Sequence, residues 1–425
     1  MTKRHPKYAL AVIFFANFLS YLDRQLVSAL EEPLRRDLHL DLVDYNLLWT
    51  LFTVGYMICA PFIGFASDRY RRPRLFALCI FIWSLATLAS GMATTKGVLY
   101  VSRVFIGLGE AGCLIIGSAL ISDFFAKETR GRALSIFYLG LPLGGTCAFI
   151  LAGLLLDYVG WRNLFFIAGV PGFLVTVLIW MLIDPPRGGT DLSQPPQPHG
   201  KPGGAGYLQL LRTPTLLLVI LAQAFAMVIL VPLVHNGVGF FQEYRGMGGK
   251  EAKLALGIIA LIAGCLGNGL SGILGDRLRK RFKGAYALLA GVSFLAAYPC
   301  LLVGFTTPHK WIFLPALTLG AFFIFLCMPA VNTQIANSAR PTQRAMAWAL
   351  AVFVLHLLGD TFSPPIFGMV GESLGRLNAF LLFSTALLPA SFCCFLAART
   401  AARDEARIAE LSVMGYNSPS KEEIR

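Results

Sequence analysis

Charge is what this sequence has least of. Asp, Glu, Lys and Arg supply 14% of its 425 residues, against 56% hydrophobic, where a soluble chain carries about 25% charged residues. That shortage excludes a water-soluble globular protein and makes lipid the solvent. Cysteine chemistry is missing as well. All nine cysteines fall within apolar runs, with no Cys-x-x-Cys and no Cys/His cluster at metal-ligand spacing. They read as small buried apolar side chains, and neither a metal nor a cofactor is expected. There is no Gly-x4-Gly-Lys-Ser/Thr loop, which disfavours ATP-driven work, and no spacing that suggests a catalytic triad, so an enzyme is not expected. The first apolar run, Tyr8 to Leu30, is too long for a signal h-region and lacks a small-residue cleavage site, so no cleavable leader is expected. Long cytoplasmic domains, the mark of a receptor or scaffold, are also missing.

What is there is a series of long apolar runs. A span needs about 20 apolar residues. Runs lie near 8–30, 43–67, 74–92, 97–125, 132–157 and 161–183, and again near 213–240, 254–275, 284–305, 311–337, 343–371 and 377–398. Between the two sets lies DPPRGGTDLSQPPQPHGKPGG, too polar and too rich in Pro and Gly to cross lipid. The expected fold is an all-α membrane protein of twelve transmembrane helices in two pseudo-symmetric six-helix bundles. The segments are 1–183, a linker 184–206, 207–399, and a tail 400–425 that opens on an amphipathic helix. The formal charge of +13 sits in short clusters between the runs. Nucleic acid would ask for a basic patch on a polar fold, so none is expected. The clusters set topology instead: both termini and the linker are expected to be cytoplasmic, in a cell (inner) membrane.

Charges inside the runs carry functional information, because each costs on the order of 3 kcal/mol at a helix centre. Span 1 holds Asp23 and Arg24; span 4 holds Arg103 and Glu110. Seven residues make about two turns, so Arg103 and Glu110 share a face roughly 10 Å apart. Counting from the span ends puts Asp23, Arg24 and Arg103 at similar height and Glu110 deeper, near the midplane. The arginines offer a fork for a phosphate or carboxylate, and the carboxylates, Glu110 first and Asp23 second, are candidates to carry protons. A static salt-bridge cluster joining spans 1 and 4 is the competing reading. On span 11, His356 and Asp360 stand at i,i+4 ahead of Pro364 and Pro365, which should break the helix. That pair either binds substrate head groups, passes protons or caps the broken helix. Asn332, on span 10 with Gln334 and Asn337, is either a substrate contact or a bond to a neighbouring helix.

Two loops repeat. GFASDRYRRPR after span 2 contains Asp68 and Arg69, and GILGDRLRKRFKG after span 8 contains Asp276 and Arg277. A Gly-x-x-x-Asp-Arg pattern at the same place in each half marks duplicated transporter halves. With Arg130 and Arg132 opening span 5 nearby, Asp68 and Asp276 read as a breakable charge latch, the alternative being a plain topology signal. Glycines 107, 109 and 112, and 140, 144 and 145, read as helix-packing positions.

These motifs resemble the major facilitator superfamily, whose signature is this loop between helices 2 and 3. RVFIGLGEAG on span 4 is similar to the superfamily's Arg-x-x-x-Gly-x-Gly motif. Arg71 stands where the superfamily usually has glycine. Within it, NFLSYLDRQ, GLGEAG, SALISDFF, GRALSIFYLGLPLG and above all HLLGDTFSP resemble the Spinster branch of lysolipid and sphingolipid transporters. The resemblance implies a secondary transporter that moves an amphipathic anionic lipid by alternating access. Asp-Arg on span 1 with Arg-x6-Glu on span 4 also occurs in carriers of sugar acids and other organic anions, which is the alternative. The partners expected are the anionic substrate, protons and membrane lipid, with the chain acting as a monomer.

Overall fold

The computed structural model describes residues 6–125, 133, 136–185, 210–339 and 344–416; within these, Asp68 and a few other helical residues have no described side chain. Every regular element among the described residues is a helix. In chain order they are α1 Pro6–Ala29, α2 Glu31–Asp37, α3 Leu42–Arg69, α4 Arg72–Gly91, α5 Lys96–Phe124, α6 Gly140–Trp180, α7 Pro214–Arg245, α8 Gly249–Arg279, α9 Ala285–Thr306, α10 Lys310–Asn337, α11 Arg344–Val354, α12 Ser363–Leu374, α13 Arg376–Ser384 and α14 Leu387–Tyr416. Among the described residues, eleven stretches are long and apolar enough to cross a membrane. One of them contains α6, which carries spans 5 and 6 joined at Gly160, where φ is 76°. Only a residue without Cβ takes that left-handed turn at no cost, so the chain reverses there and the span count is twelve.

Local chemistry fixes the ends. Asp41 caps α3 by accepting from the Asp44 N–H at 2.5 Å, and Pro73 sits in the first turn of α4, where its missing N–H costs nothing. Span 11 breaks as its prolines require. After α11 the backbone widens into a π-helical turn, Leu355–Asp360, and α12 restarts with Pro364 in its first turn. Two elements differ from the sequence reading. α2 is a short helix where a loop was expected, and α14 runs unbroken from span 12 through to Tyr416, so the tail helix is a continuation of the span.

The chain packs as two compact units: Met1–Pro195 with Val231–Leu261 and Asp360–Phe380, and Pro196–Leu230 with Ile262–Gly359 and Leu381–Arg425. In the first, α1 lies along α6 and against α5, and α3 and α4 flank α5. Gly107 leaves no room for a Cβ against the Phe52 carbonyl, and Gly144 none against the Phe18 carbonyl. These backbone-to-backbone approaches bring α3 onto α5 and α6 onto α1. Between α1 and α5 themselves, the helices with the four charges, the close approach is at Gly117, where a Cβ would meet Ile13 at 3.3 Å. In the second unit α9 packs on α10 and α14.

Candidate functional site

Four charged residues from two helices meet inside the first unit. Arg24 on α1 donates from Nε and Nη2 to the Glu110 carboxylate on α5, at 3.1 and 2.9 Å. The Glu110 side chain is fully buried and that of Arg24 is 18% exposed. The Arg24 guanidinium also faces three rings, 4.8 Å from Tyr21, 4.7 Å from Phe52 and 5.6 Å from Tyr56. Aromatic faces attract a cation without offering a lone pair, so Arg24 is held by one carboxylate oxygen and a wall of π density. Among the described residues Glu110 Oε1 makes no hydrogen bond of good geometry, with the Ser20 hydroxyl as its near neighbour.

The second pair is looser. Asp23 is buried, accepts a short hydrogen bond from the Thr87 hydroxyl, and leaves Oδ1 without a partner. Arg103 is buried, donates weakly to the Ser90 hydroxyl at 3.4 Å, and leaves Nε without a partner. Arg24 of α1 is thus bonded directly to Glu110 of α5, while Asp23 of α1 and Arg103 of α5 each bond a hydroxyl of α4. Counting along the spans puts Glu110 deeper than Arg24, with no charged residue beside it on span 4 at that level. Arg24 fills that place from the adjacent helix, a contact that spacing along one helix does not report.

The other candidates fall elsewhere. His356 and Asp360 lie on the π-helical turn, His356 half-buried and Asp360 buried. Asn332 accepts from Gln223 Nε2 on α7 at 3.2 Å. Of the loop-motif residues, Arg130 and the side chain of Asp68 lie outside the described residues. Arg69 stacks over Phe65 at 4.0 Å, and Arg277 is exposed at the end of α8. Asp276 accepts from the Tyr286 hydroxyl at 2.5 Å. At this loop-motif end, among the described residues, Arg72 of the first loop forms an ion pair with Asp123 at the end of α5.

A second cluster, which sequence reasoning passed over, closes the opposite end of the first unit. Arg376 opens α13 and is buried. Its Nη2 bonds Glu31 of α2 at 2.6 Å and Glu243 of α7 at 3.0 Å; its Nη1 bonds Glu31 at 3.0 Å and the Asn236 carbonyl at 3.2 Å. One turn away, His235 Nδ1 and Ser28 Oγ are 2.9 Å apart, Tyr45 stacks on the imidazole at 4.1 Å, and its hydroxyl donates to the His235 carbonyl at 2.8 Å. Asn46 and Asn236 bond each other reciprocally at 3.1 and 2.9 Å. At the rim, Asp37 accepts from the Trp161 indole at 2.8 Å. That bond, then Arg36 and Arg162, holds its carboxyl below the usual range. The signal available in the sequence was the adjacent His235-Asn236 inside an apolar run; Glu31 and Arg376 looked like ordinary loop charges.

Long apolar helices throughout the described residues, with a buried charge cluster inside the first unit, describe an integral membrane transporter, and the comparisons place it. The Major Facilitator Superfamily matches residues 13–359, and the chain belongs to that superfamily. Within it the chain is Spinster-like. It is 27% identical over 390 residues to Protein spinster of Drosophila melanogaster, covering 87% of this chain and 63% of that protein, so the fly protein is considerably longer. It is 28% identical over 400 residues to the sphingosine-1-phosphate transporter SPNS2 of Danio rerio, covering 87% and 77%. Its fold matches the crystal structure of a bacterial homolog to the human lysosomal transporter Spinster in an inward-facing, unoccupied conformation. The TM-score is 0.87 at 23% identity, over 95% of this chain and 99% of that one.

Proposed function

We propose that this transporter is a proton-coupled carrier of an amphipathic anionic lipid, a lysophospholipid or sphingosine-phosphate-like molecule, working as a monomer by alternating access. The observation that carries the reading is the Arg24–Glu110 pair, buried and backed by aromatic rings rather than by further acceptors. A phosphate offered to Arg24 competes with Glu110 for the same N–H groups. Once Arg24 turns to the phosphate, Glu110 is a lone carboxylate in a dry bundle, and an unpaired buried charge is too costly to keep. It takes up a proton, and the site stays near neutral with substrate and proton aboard together. Release reverses the exchange. Arg103 and Asp23 form the reserve pair, and His356, Asp360 and Asn332 complete the substrate contacts. The lipid class draws support from the substrate in the zebrafish relative's name.

In this reading residues 1–183 and 207–399 are the two moving halves, and the termini, the linker 184–206 and the tail 400–425 face the cytoplasm of a cell membrane. The α2 end is then the outer one. The bonds from Glu31, Ser28, Tyr45 and Asn46 to α7 and α13 keep it shut. Gating at the inner end falls to Asp68, Arg69 and Arg130 with Asp276 and Arg277.

The test is uptake by purified protein in liposomes, with and without a proton gradient, across lysolipids and sugar acids. Lysolipid uptake should rise with the gradient. Glu110→Gln should abolish gradient-driven uptake while substrate binding persists, and Arg103→Ala should weaken binding. Gradient-driven accumulation by Glu110→Gln would pass the proton to Asp23, and uptake confined to sugar acids would overturn the lipid assignment.

A further inference from the structure

The second unit carries a concentration of unpaired positive charge at the loop-motif end. Its acidic side chains among the described residues are used internally. Asp404 is buried and accepts from the Thr215 N–H and hydroxyl at 3.0 and 2.7 Å, capping the start of α7 with a residue from α14. Glu405 takes both Nη groups of Arg279, at 3.0 and 2.9 Å, and Asp276 takes the Tyr286 hydroxyl. Lys280, Arg281, Lys283 and Arg399 remain outward, as do Arg212, Arg277 and Arg407; all are exposed, with no carboxylate partner among the described residues.

The fold gathers these cations. Gly284 leaves no room for a Cβ against the Ala398 backbone, so the start of α9 and the lower part of α14 touch main chain to main chain. Lys283 and Arg399, the adjoining residues, flank that crossing. The Arg279–Glu405 clamp, with Arg279 also donating to the Lys283 carbonyl at 3.1 Å, ties the α8–α9 loop to α14 just below it.

From Arg399, two turns back along the same face of α14 and about 10 Å away, stands Phe392, 62% exposed, with Leu388 one turn beyond. Val292 and Leu295 are likewise exposed on α9. Phe282, between Arg281 and Lys283, is 40% exposed, an aromatic placed where spans end. A dissolved anion would use the cations and have no use for the apolar wall above them. A phospholipid uses both: phosphate on the cations, acyl chains along the wall.

We propose that Lys283 and Arg399, with Lys280 and Arg281 around them, form a binding site for the head group of an anionic phospholipid of the surrounding leaflet, distinct from the transported molecule. The site does not depend on the transport reading, because it is built at the ends of spans from residues that contact none of the mid-span charges. The lipid held there braces the α9–α14 crossing and the tail helix that continues from it.

The experiment is native mass spectrometry of the full chain released from vesicles of equal parts phosphatidylglycerol and phosphatidylcholine. Wild-type protein should retain phosphatidylglycerol preferentially. K283A/R399A should lose that preference by roughly 25-fold, at about fivefold per cation removed, while K283R/R399K should keep it. Arg36→Gln, at the opposite end of the spans, should leave it unchanged. Should the double variant fail to elute as a folded species, the single variants K283Q and R399Q each read about fivefold. Equal retention of the two lipids by wild type, or an undiminished preference in K283A/R399A, overturns the site. Displacement of phosphatidylglycerol by inorganic phosphate would make it a free-anion site and overturn the lipid assignment. None of these measurements requires turnover.

Discussion

Two buried arginines of the first unit make opposite use of the same chemistry. Arg376 spreads its two Nη groups over two carboxylates and a carbonyl from α2 and α7. Arg24 has one carboxylate oxygen and three aromatic faces. Around Arg376 the acceptors outnumber what a lysine could satisfy, so the geometry is specified and expensive to leave. Around Arg24, Glu110 Oε1 is idle and the rings impose little direction, and in the neighbouring pair Asp23 Oδ1 and Arg103 Nε are idle too; Arg376 Nε is also left over, but the four bonds of its two Nη groups remain. A cation held by many directed bonds costs more to move than one held by a single carboxylate oxygen and aromatic faces. The contrast separates a place where something is handed over from a place where something is locked.

The comparison breaks first at Arg376. Arg376→Ala leaves the buried Glu31 with only the longer contact to Arg35, at 3.4 Å, and should destabilise the closed α2 end by about 3 kcal/mol. Spin labels at Glu32 and Asn378, both exposed, should move apart; an unchanged distance would show that the cluster does not hold that end. Next comes the matched exchange to lysine. Arg376→Lys should lower the thermal midpoint clearly, because one ammonium cannot serve four bonds. Arg24→Lys should leave the midpoint nearly where it was and weaken substrate binding instead, since the fork for a phosphate is gone. Equal effects of the two on stability would erase the distinction. Smaller still, Tyr45→Phe keeps the ring on His235 and deletes one hydrogen bond, worth about 1 kcal/mol, and should be read in the same midpoint measurement without loss of uptake.

The smallest effect belongs to Asp37. Its carboxyl is held below the usual range, first by the Trp161 N–H. A group whose folded value is lowered adds stability above its ordinary value, near 4, and loses it as pH falls through the lowered one. Asp37→Asn should therefore cost less than about 1 kcal/mol at neutral pH and nothing at strongly acid pH. A difference that grows on acidification would refute the sign.

How much of this was legible beforehand divides along the same line. Arg103 and Glu110 were visible because they interrupt an apolar run on one helix, where period and depth can be counted. The break after Asp360 was visible because proline cannot continue a helix. The repeated Gly-x-x-x-Asp-Arg loops pointed to the superfamily that residues 13–359 match. The Arg24–Glu110 bond was not, since its partners lie 86 positions apart on different helices. Arg376 and Glu31, 345 positions apart, look like surface charges until the fold buries them. Spacing reports faces of single helices; which faces meet is decided by where Gly107 and Gly144 let backbones touch.

One feature of α1 has a thermodynamic consequence. Arg24, Ser28 and, just past its end, Glu31 fall along one side of the chain, the first two a single turn, about 6 Å, apart. The same rod therefore ends in the exchange cluster and in the lock. If occupancy at Arg24 shifts the opening equilibrium at Glu31 by some factor, reciprocity demands that opening at Glu31 shift affinity at Arg24 by that factor. If Arg376→Ala, made far from any head group, opens the α2 end fully, its lysolipid affinity should differ from that of the closed wild type by the same ratio by which saturating lysolipid changes the wild type's opening equilibrium constant. An affinity unchanged in the opened variant would mean that the rod does not transmit.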